Sequence, residues 1–209
     1  MAAKGQQVDS ASIRKLAVTV ASMLLLSSTI QSASAFDANK FPGRGKREAF
    51  SKACEFNTKG IALEEKGKAK EAIEEYKKAI AAYPYYAVSY SNLGNAQSDL
   101  HRYPEAVENY KRAVKLAPDF AGAYSNMADA LLKQKNYLAA EIACKNALQV
   151  DPGYVLAMTN LSEVYLATGR AQDARTILNN ASGQATTAAM KKIISTNMAK
   201  ANKMLNGGL

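Results

Sequence analysis

The sequence predicts an all-α fold, a solenoid of stacked helical hairpins, and three observations predict it. First, small residues recur every 34 positions: Gly60, Gly94, Ala128 and Ser162 form one column, Ala72, Ala106, Ala140 and Ala174 a second, and Ala79, Ala113, Ala147 and Ala181 a third. Second, Pro84, Pro118 and Pro152 keep the same interval. Third, apolar residues between these marks follow a helical spacing. A fixed period of this length means stacked supersecondary units that share one core.

Residues 87–120 carry the period most clearly. Tyr90, Leu93 and Ala96 place one apolar face on a helix over 87–100. Ala106, Val107, Tyr110, Ala113 and Val114 do the same for a helix from about Tyr103 to Leu116. Pro104 fits the first turn of that helix, where a missing N–H is harmless, and Pro118 ends it. Gly94 and Ala106 let two backbones approach closely. The units then run 53–86, 87–120, 121–154 and 155–188. The fourth is degenerate, with Ser162 in the Gly/Ala column and no closing proline.

Tyr90, Leu93, Gly94, Tyr103, Ala106, Tyr110, Ala113 and Pro118 resemble the tetratricopeptide repeat (TPR). That resemblance implies a right-handed TPR solenoid of four helix-turn-helix repeats plus a C-terminal capping helix. It also implies a protein-interaction role for the concave groove lined by the first helix of each unit.

The first 35 residues read as a leader. Lys4, Arg14 and Lys15 precede an apolar stretch, Leu16 to Ile30, and Ser32-Ala33-Ser34-Ala35 follows as a cleavage-type site. The stretch falls short of the ~20 apolar residues that span a bilayer. A signal peptide over 1–35 is therefore expected, with export to the periplasm, an organelle lumen or the outside. The junction Ala33-Ser34-Ala35-Phe36 also resembles the bipartite leaders of secondary plastids, which makes the plastid, including the thylakoid lumen, the alternative destination.

The chain carries a net charge of +9, but the four units hold 15 residues of each sign. The excess lies on the flanks: the basic N-terminal segment 36–52 (Lys40, Arg44, Lys46, Arg47, Lys52) and the tail (Lys191, Lys192, Lys200, Lys203). A basic balance spread over a binding face would suggest nucleic acid. A neutral repeat surface does not, and no nucleic-acid partner is expected. Peripheral membrane contact through the flanks and a Met-rich tail is the alternative to protein binding. Ala188 to Leu205 is helix-compatible, with Met190, Ile193, Ile194, Asn197, Met198, Ala201, Met204 and Leu205 on one stripe, and is expected to cap the array. Cys144 is expected as a small core residue, and Cys54 in the first turn of its helix. The two lie too far apart in a solenoid to pair.

Catalytic groupings are missing from the sequence. The one histidine, His101, falls in a turn, and no nucleophile-base set, phosphate loop or metal spacing occurs. A non-enzymatic protein is expected, without cofactor, metal or small-molecule substrate. The TPR resemblance assigns groove positions. The sixth position of each unit gives Thr58, Asn92, Asn126 and Asn160, similar to the asparagine ladder of O-GlcNAc transferase. Asparagine there either meets a peptide backbone or supports the stack. The ninth position gives Ile61, Asn95, Asp129 and Glu163, and the twelfth and thirteenth add Glu64, Glu65, Asp99 and Lys133. The resemblance thus implies a partner-binding groove of Asn92, Asn126, Asn160, Asn95, Asp99, Asp129 and Glu163. Its acidic balance suits a basic or neutral protein or peptide segment. Positions matching the lysine–arginine carboxylate clamp of chaperone-binding TPR domains hold Asn57, Ile61, Asn92, Gly122 and Asn126. Only Asn92 fits, which argues against a heat-shock co-chaperone.

Overall fold

The structure, a computed structural model, describes residues 44–207, so the leader and its junction lie outside the described residues. Among the described residues there are nine α-helices and no strand: α1 (Arg44–Glu65), α2 (Ala69–Ala82), α3 (Ala87–Asp99), α4 (Tyr103–Leu116), α5 (Ala121–Lys133), α6 (Tyr137–Val150), α7 (Val155–Ala167), α8 (Ala171–Gln184) and α9 (Ala188–Leu205). The chain divides into two compact units at Lys52/Ala53. Of the first, only the opening turns of α1 are described; the second is the helical array. Because α1 starts at Arg44, Cys54 sits deep within it rather than in a first turn. No helix among the described residues is long and apolar enough to cross a membrane.

Each hairpin closes on the same turn. Gly67, His101, Lys135 and Gly169, spaced 34 apart, all have positive φ, between 58° and 78°. The residue after each donates its N–H to the carbonyl five residues back: Lys68 to Leu63 (2.9 Å), Arg102 to Gln97 (2.9 Å), Asn136 to Leu131 (3.0 Å) and Arg170 to Tyr165 (2.7 Å). This is a Schellman cap, which satisfies carbonyls that a helix end leaves open. Between units the chain makes a β-turn with proline at its second position. Tyr86, Phe120 and Tyr154 donate to the carbonyls of Tyr83, Ala117 and Asp151 at 3.1–3.2 Å.

Within a hairpin, the small column faces a large one. Gly94 lies under the Tyr110 ring so closely that a Cβ would sit 2.7 Å from Tyr110 Cε1, and Gly60 is tighter still against Tyr76. In the third unit Ala128 takes the glycine's place and Cys144 the tyrosine's; in the fourth, Ser162 pairs with Leu178. Tyr76, Tyr110, Cys144 and Leu178 are all fully buried. Where the first column gains a Cβ, the second loses its ring. Burial pushes the Cys144 thiol up to about 12, which keeps it a neutral, inert core residue. Cys54 and Cys144 are both free.

Between units, the second helix of one packs on the first helix of the next. The first helices also pack on each other, α3 on α5, α5 on α7 and α7 on α9. A row of first helices in mutual contact forms the inner side of the stack. Arg170 ties the third unit to the fourth: it lies 4.2 Å over the Tyr165 ring, donates to both oxygens of Glu141 at 3.1 Å and pairs with Asp173 at 2.7 Å.

The array ends as expected on α9, which packs on α7 and α8 as the first helix of a fifth unit would. Ile194, Asn197 and Ala201 are buried. On its outer face Ser195, Ala199, Asn202 and Lys203 are exposed, and Met204 and Leu205 in its last turn are exposed as well.

Two stability predictions follow from the columns. Cys144→Tyr should overpack against Ala128 and lower stability by roughly 1–3 kcal/mol. Adding Ala128→Gly should recover most of that loss, measured by denaturant unfolding; a double variant no better than Cys144→Tyr would break the size-matching argument. His101→Gly and Lys135→Gly should each raise stability by up to about 1 kcal/mol, because only glycine adopts positive φ without strain. An unchanged or lowered midpoint for both would mean the turn is not strained.

Candidate functional site

The inner row of first helices carries the polar residues that the sequence placed in a groove. Asn92 lies on α3, Asn126 on α5 and Asn160 on α7, each half-buried. Each donates Nδ2 backward to the preceding first helix. Asn92 reaches Asn57 Oδ1 at 3.1 Å, Asn126 reaches Asn95 Oδ1 at 2.9 Å, and Asn160 reaches the Ser125 carbonyl at 3.0 Å. The pattern continues into α9, where Asn197 Nδ2 reaches Ser162 Oγ at 3.1 Å. Every junction between first helices therefore carries one amide donor from the later helix. Thr58, by contrast, is exposed and bonds its own helix at the Cys54 carbonyl.

The structure brings Asn95 into this network from two sides, since its Oδ1 also accepts the Tyr110 hydroxyl at 2.8 Å. That oxygen is filled, and Asn95 is as much a strut as a contact residue. In the first unit the Tyr76 hydroxyl donates to the Glu64 carboxylate. Burial, with Glu64, Asp99 and Glu65 nearby, pushes the Tyr76 phenol well above its ordinary range, so it stays a donor. The third and fourth units have Cys144 and Leu178 in that column, so no tyrosine hydroxyl from it reaches Asp129 or Glu163. Asp99, Asp129 and Glu163 are all half-buried. Lys133 Nζ lies 4.0 Å from Asp129 Oδ1 one helical turn away.

Four participants were not among the sequence candidates. Asn57 (5% exposed) and Asn197 (2% exposed) are the most buried amides of the row, and Ser125 and Ser162 are the acceptors. Asn197 follows Asn160 by 37 residues rather than 34, so a strict period passes over it. His101 lies at the turn with its ring 2.8 Å from the Tyr103 hydroxyl, exposed and away from the row. Among the described residues no cluster of His, Cys, Asp or Glu could hold a metal ion.

Family models described as tetratricopeptide repeat match residues 56–86, 75–108 and 131–195, and one described as TPR repeat matches 99–135. The chain belongs to the tetratricopeptide repeat family, and its fold is an all-α TPR solenoid. Among solved structures it is similar to the first TPR of Spaghetti (RPAP3) bound to the HSP90 peptide SRMEEVD, with 27% identity, a TM-score of 0.56, and coverage of 57% of this chain and 94% of that one. It is similar to the TPR2B domain of yeast Sti1 in its pHsp70 complex, with 26% identity, a TM-score of 0.54, and coverage of 56% and 96%. MamA shares the fold at 22% identity and a TM-score of 0.57, over 71% of this chain and 95% of that one. A search of curated proteins finds no match.

The amide row has a stability consequence. Asn126→Ala should lose about 0.5–1.5 kcal/mol with its interhelical bond. Asn197→Ala, at a more buried site, should lose at least as much and weaken α9 first, visible as early amide exchange in 188–205. If both variants unfold as the parent does, the amides do not support the stack.

Proposed function

We propose that this protein is a non-enzymatic adaptor that holds an extended segment of a partner protein in the groove formed by α1, α3, α5 and α7. The single observation that carries the reading is the row of half-buried amides on successive first helices, with Asp99, Asp129 and Glu163 beside it. Support comes from the two similar TPR domains whose structures contain heat-shock peptides or complexes. The residues favour a different ligand from the acidic SRMEEVD. The clamp positions Asn57, Ile61, Asn92, Gly122 and Asn126 include no cation, and the acids favour a basic or neutral segment. The leader pattern supports a place outside the cytosol, where such an adaptor would help to assemble or maintain a complex. Membrane attachment through the tail is the second reading: Ile194 and Ala201 are taken up by the array, while Lys191, Lys192, Lys200, Lys203, Met204 and Leu205 are exposed.

The test is a selection of random twelve-residue peptides on the array, followed by affinity measurement on variants. Peptides that bind should be neutral or rich in Lys and Arg. The Asn92→Ala, Asn126→Ala, Asn160→Ala variant, shown helical by circular dichroism, should bind them at least tenfold more weakly, since about 1.4 kcal/mol is tenfold. Neutralising Asp99, Asp129 and Glu163 together should act mainly on the association rate and its salt dependence. Unchanged affinity in a folded triple-alanine variant would remove the groove as the site.

A further inference from the structure

The second helices of the four units present one outer surface four times, and the third copy differs. Their second, third and sixth residues are Lys70, Glu71 and Glu74 in α2, Pro104, Glu105 and Glu108 in α4, and Gln172, Asp173 and Thr176 in α8, all exposed. In α6 the same places hold Leu138, Ala139 and Ile142. Leu138 is 74% exposed and Ile142 54%, and a spacing of four sets them side by side on the helix. The array does not call for them, since three units fold with charged residues, polar residues or proline there. Adjacent large apolar side chains left in water, where the fold has no use for them, mark an interaction surface.

The charges beside the pair select the partner. Glu141, on the same helix, lies low: its side chain is 16% exposed, while Lys145 and Arg170, which bond it at 2.8 and 3.1 Å, are 58% and 43% exposed. Arg170 also holds Asp173. Lys135, in the turn that leads into α6, is exposed and adds a third cation. The acids that α2 and α4 carry at the third and sixth places are replaced here by Ala139 and Ile142. An apolar pair with lysines before and after it suits an apolar stripe edged with carboxylates.

We infer that the outer face of α6 is a second interaction surface, separate from the groove, and that it takes an amphipathic helix of a partner protein. The apolar stripe of that helix covers Leu138 and Ile142, and its acidic residues meet Lys135 and Lys145. Anchors one helical turn apart are the usual footprint of such a helix. A second copy of this chain is a poorer occupant, because α6 against its twin would bring four lysines into one interface. A flat anionic membrane reaching past this one helix would meet Glu105 and Glu108 of the unit before.

Two synthetic helical peptides, about 18 residues or five turns long, test this by fluorescence anisotropy. They share one leucine stripe, and their polar faces carry glutamates in one and lysines in the other. The glutamate peptide should bind the wild-type protein at least tenfold more tightly than the lysine peptide. The Leu138→Lys, Ile142→Glu variant has the residues that the first unit carries at the same places, so it should fold as the parent does. It should lose that binding at least tenfold, while the Asn92→Ala, Asn126→Ala, Asn160→Ala variant should keep it. The Lys135→Glu, Lys145→Glu variant leaves the apolar pair in place and should reverse the preference between the two peptides. Binding of neither peptide, or glutamate-peptide binding that Leu138→Lys, Ile142→Glu leaves unchanged, would overturn the proposal. So would self-association by ultracentrifugation, or binding to phosphatidylserine vesicles, that this variant abolishes while the glutamate peptide still binds it.

Discussion

The distance between the two helices of a hairpin is the constraint on which the rest of this array depends. Gly60 and Gly94 admit the faces of Tyr76 and Tyr110 where a single added carbon would collide with the ring. Ala128 with Cys144 and Ser162 with Leu178 divide the volume differently, a larger first residue going with a smaller second one. Protein interiors are packed too densely for either column to vary alone. The alanines at 72, 106, 140 and 174 are fully buried as well, so a larger side chain at any of them would have to displace its neighbours.

The choice of large residue also sets what reaches the inner row. A tyrosine long enough to cross the hairpin delivers its hydroxyl to Glu64 in the first unit and to Asn95 in the second. Cysteine and leucine deliver nothing polar in the third and fourth. The inner row of the first two units is thus braced from behind by a tyrosine hydroxyl, and that of the third and fourth is not braced by this column. Core packing and groove chemistry are two ends of the same side chains.

Much of this was legible in the sequence, for identifiable reasons. Helices at 103–116 and 188–205 could be read because proline, alanine spacing and apolar stripes act locally. The opening of α1 at Arg44 could not be read, because no capping residue or apolar stripe announces it in a basic segment. The left-handed turn column was hidden by its mixture of Gly67, His101, Lys135 and Gly169, residues that share a backbone angle and no side-chain property. The ladder was visible as Asn92, Asn126 and Asn160, but its acceptors were not. Asn57, Asn95, Ser125 and Ser162 occupy three different repeat positions, so only the contact between helices unites them.

That irregularity makes the joints of the array unlike one another. Each first helix brings an amide donor from nearly the same place, yet the helix before it answers with a different acceptor: an asparagine four residues into the first unit, another in the ninth position of the second, a serine carbonyl in the third, a serine hydroxyl in the fourth. The four joints therefore differ in what a substitution can take from them. Replacing Asn57, Asn95 or Ser162 removes the acceptor itself, whereas the Ser125 carbonyl belongs to the main chain and persists whatever residue stands at 125. The sequence period makes the units alike, while their joints are unequally exposed to mutation.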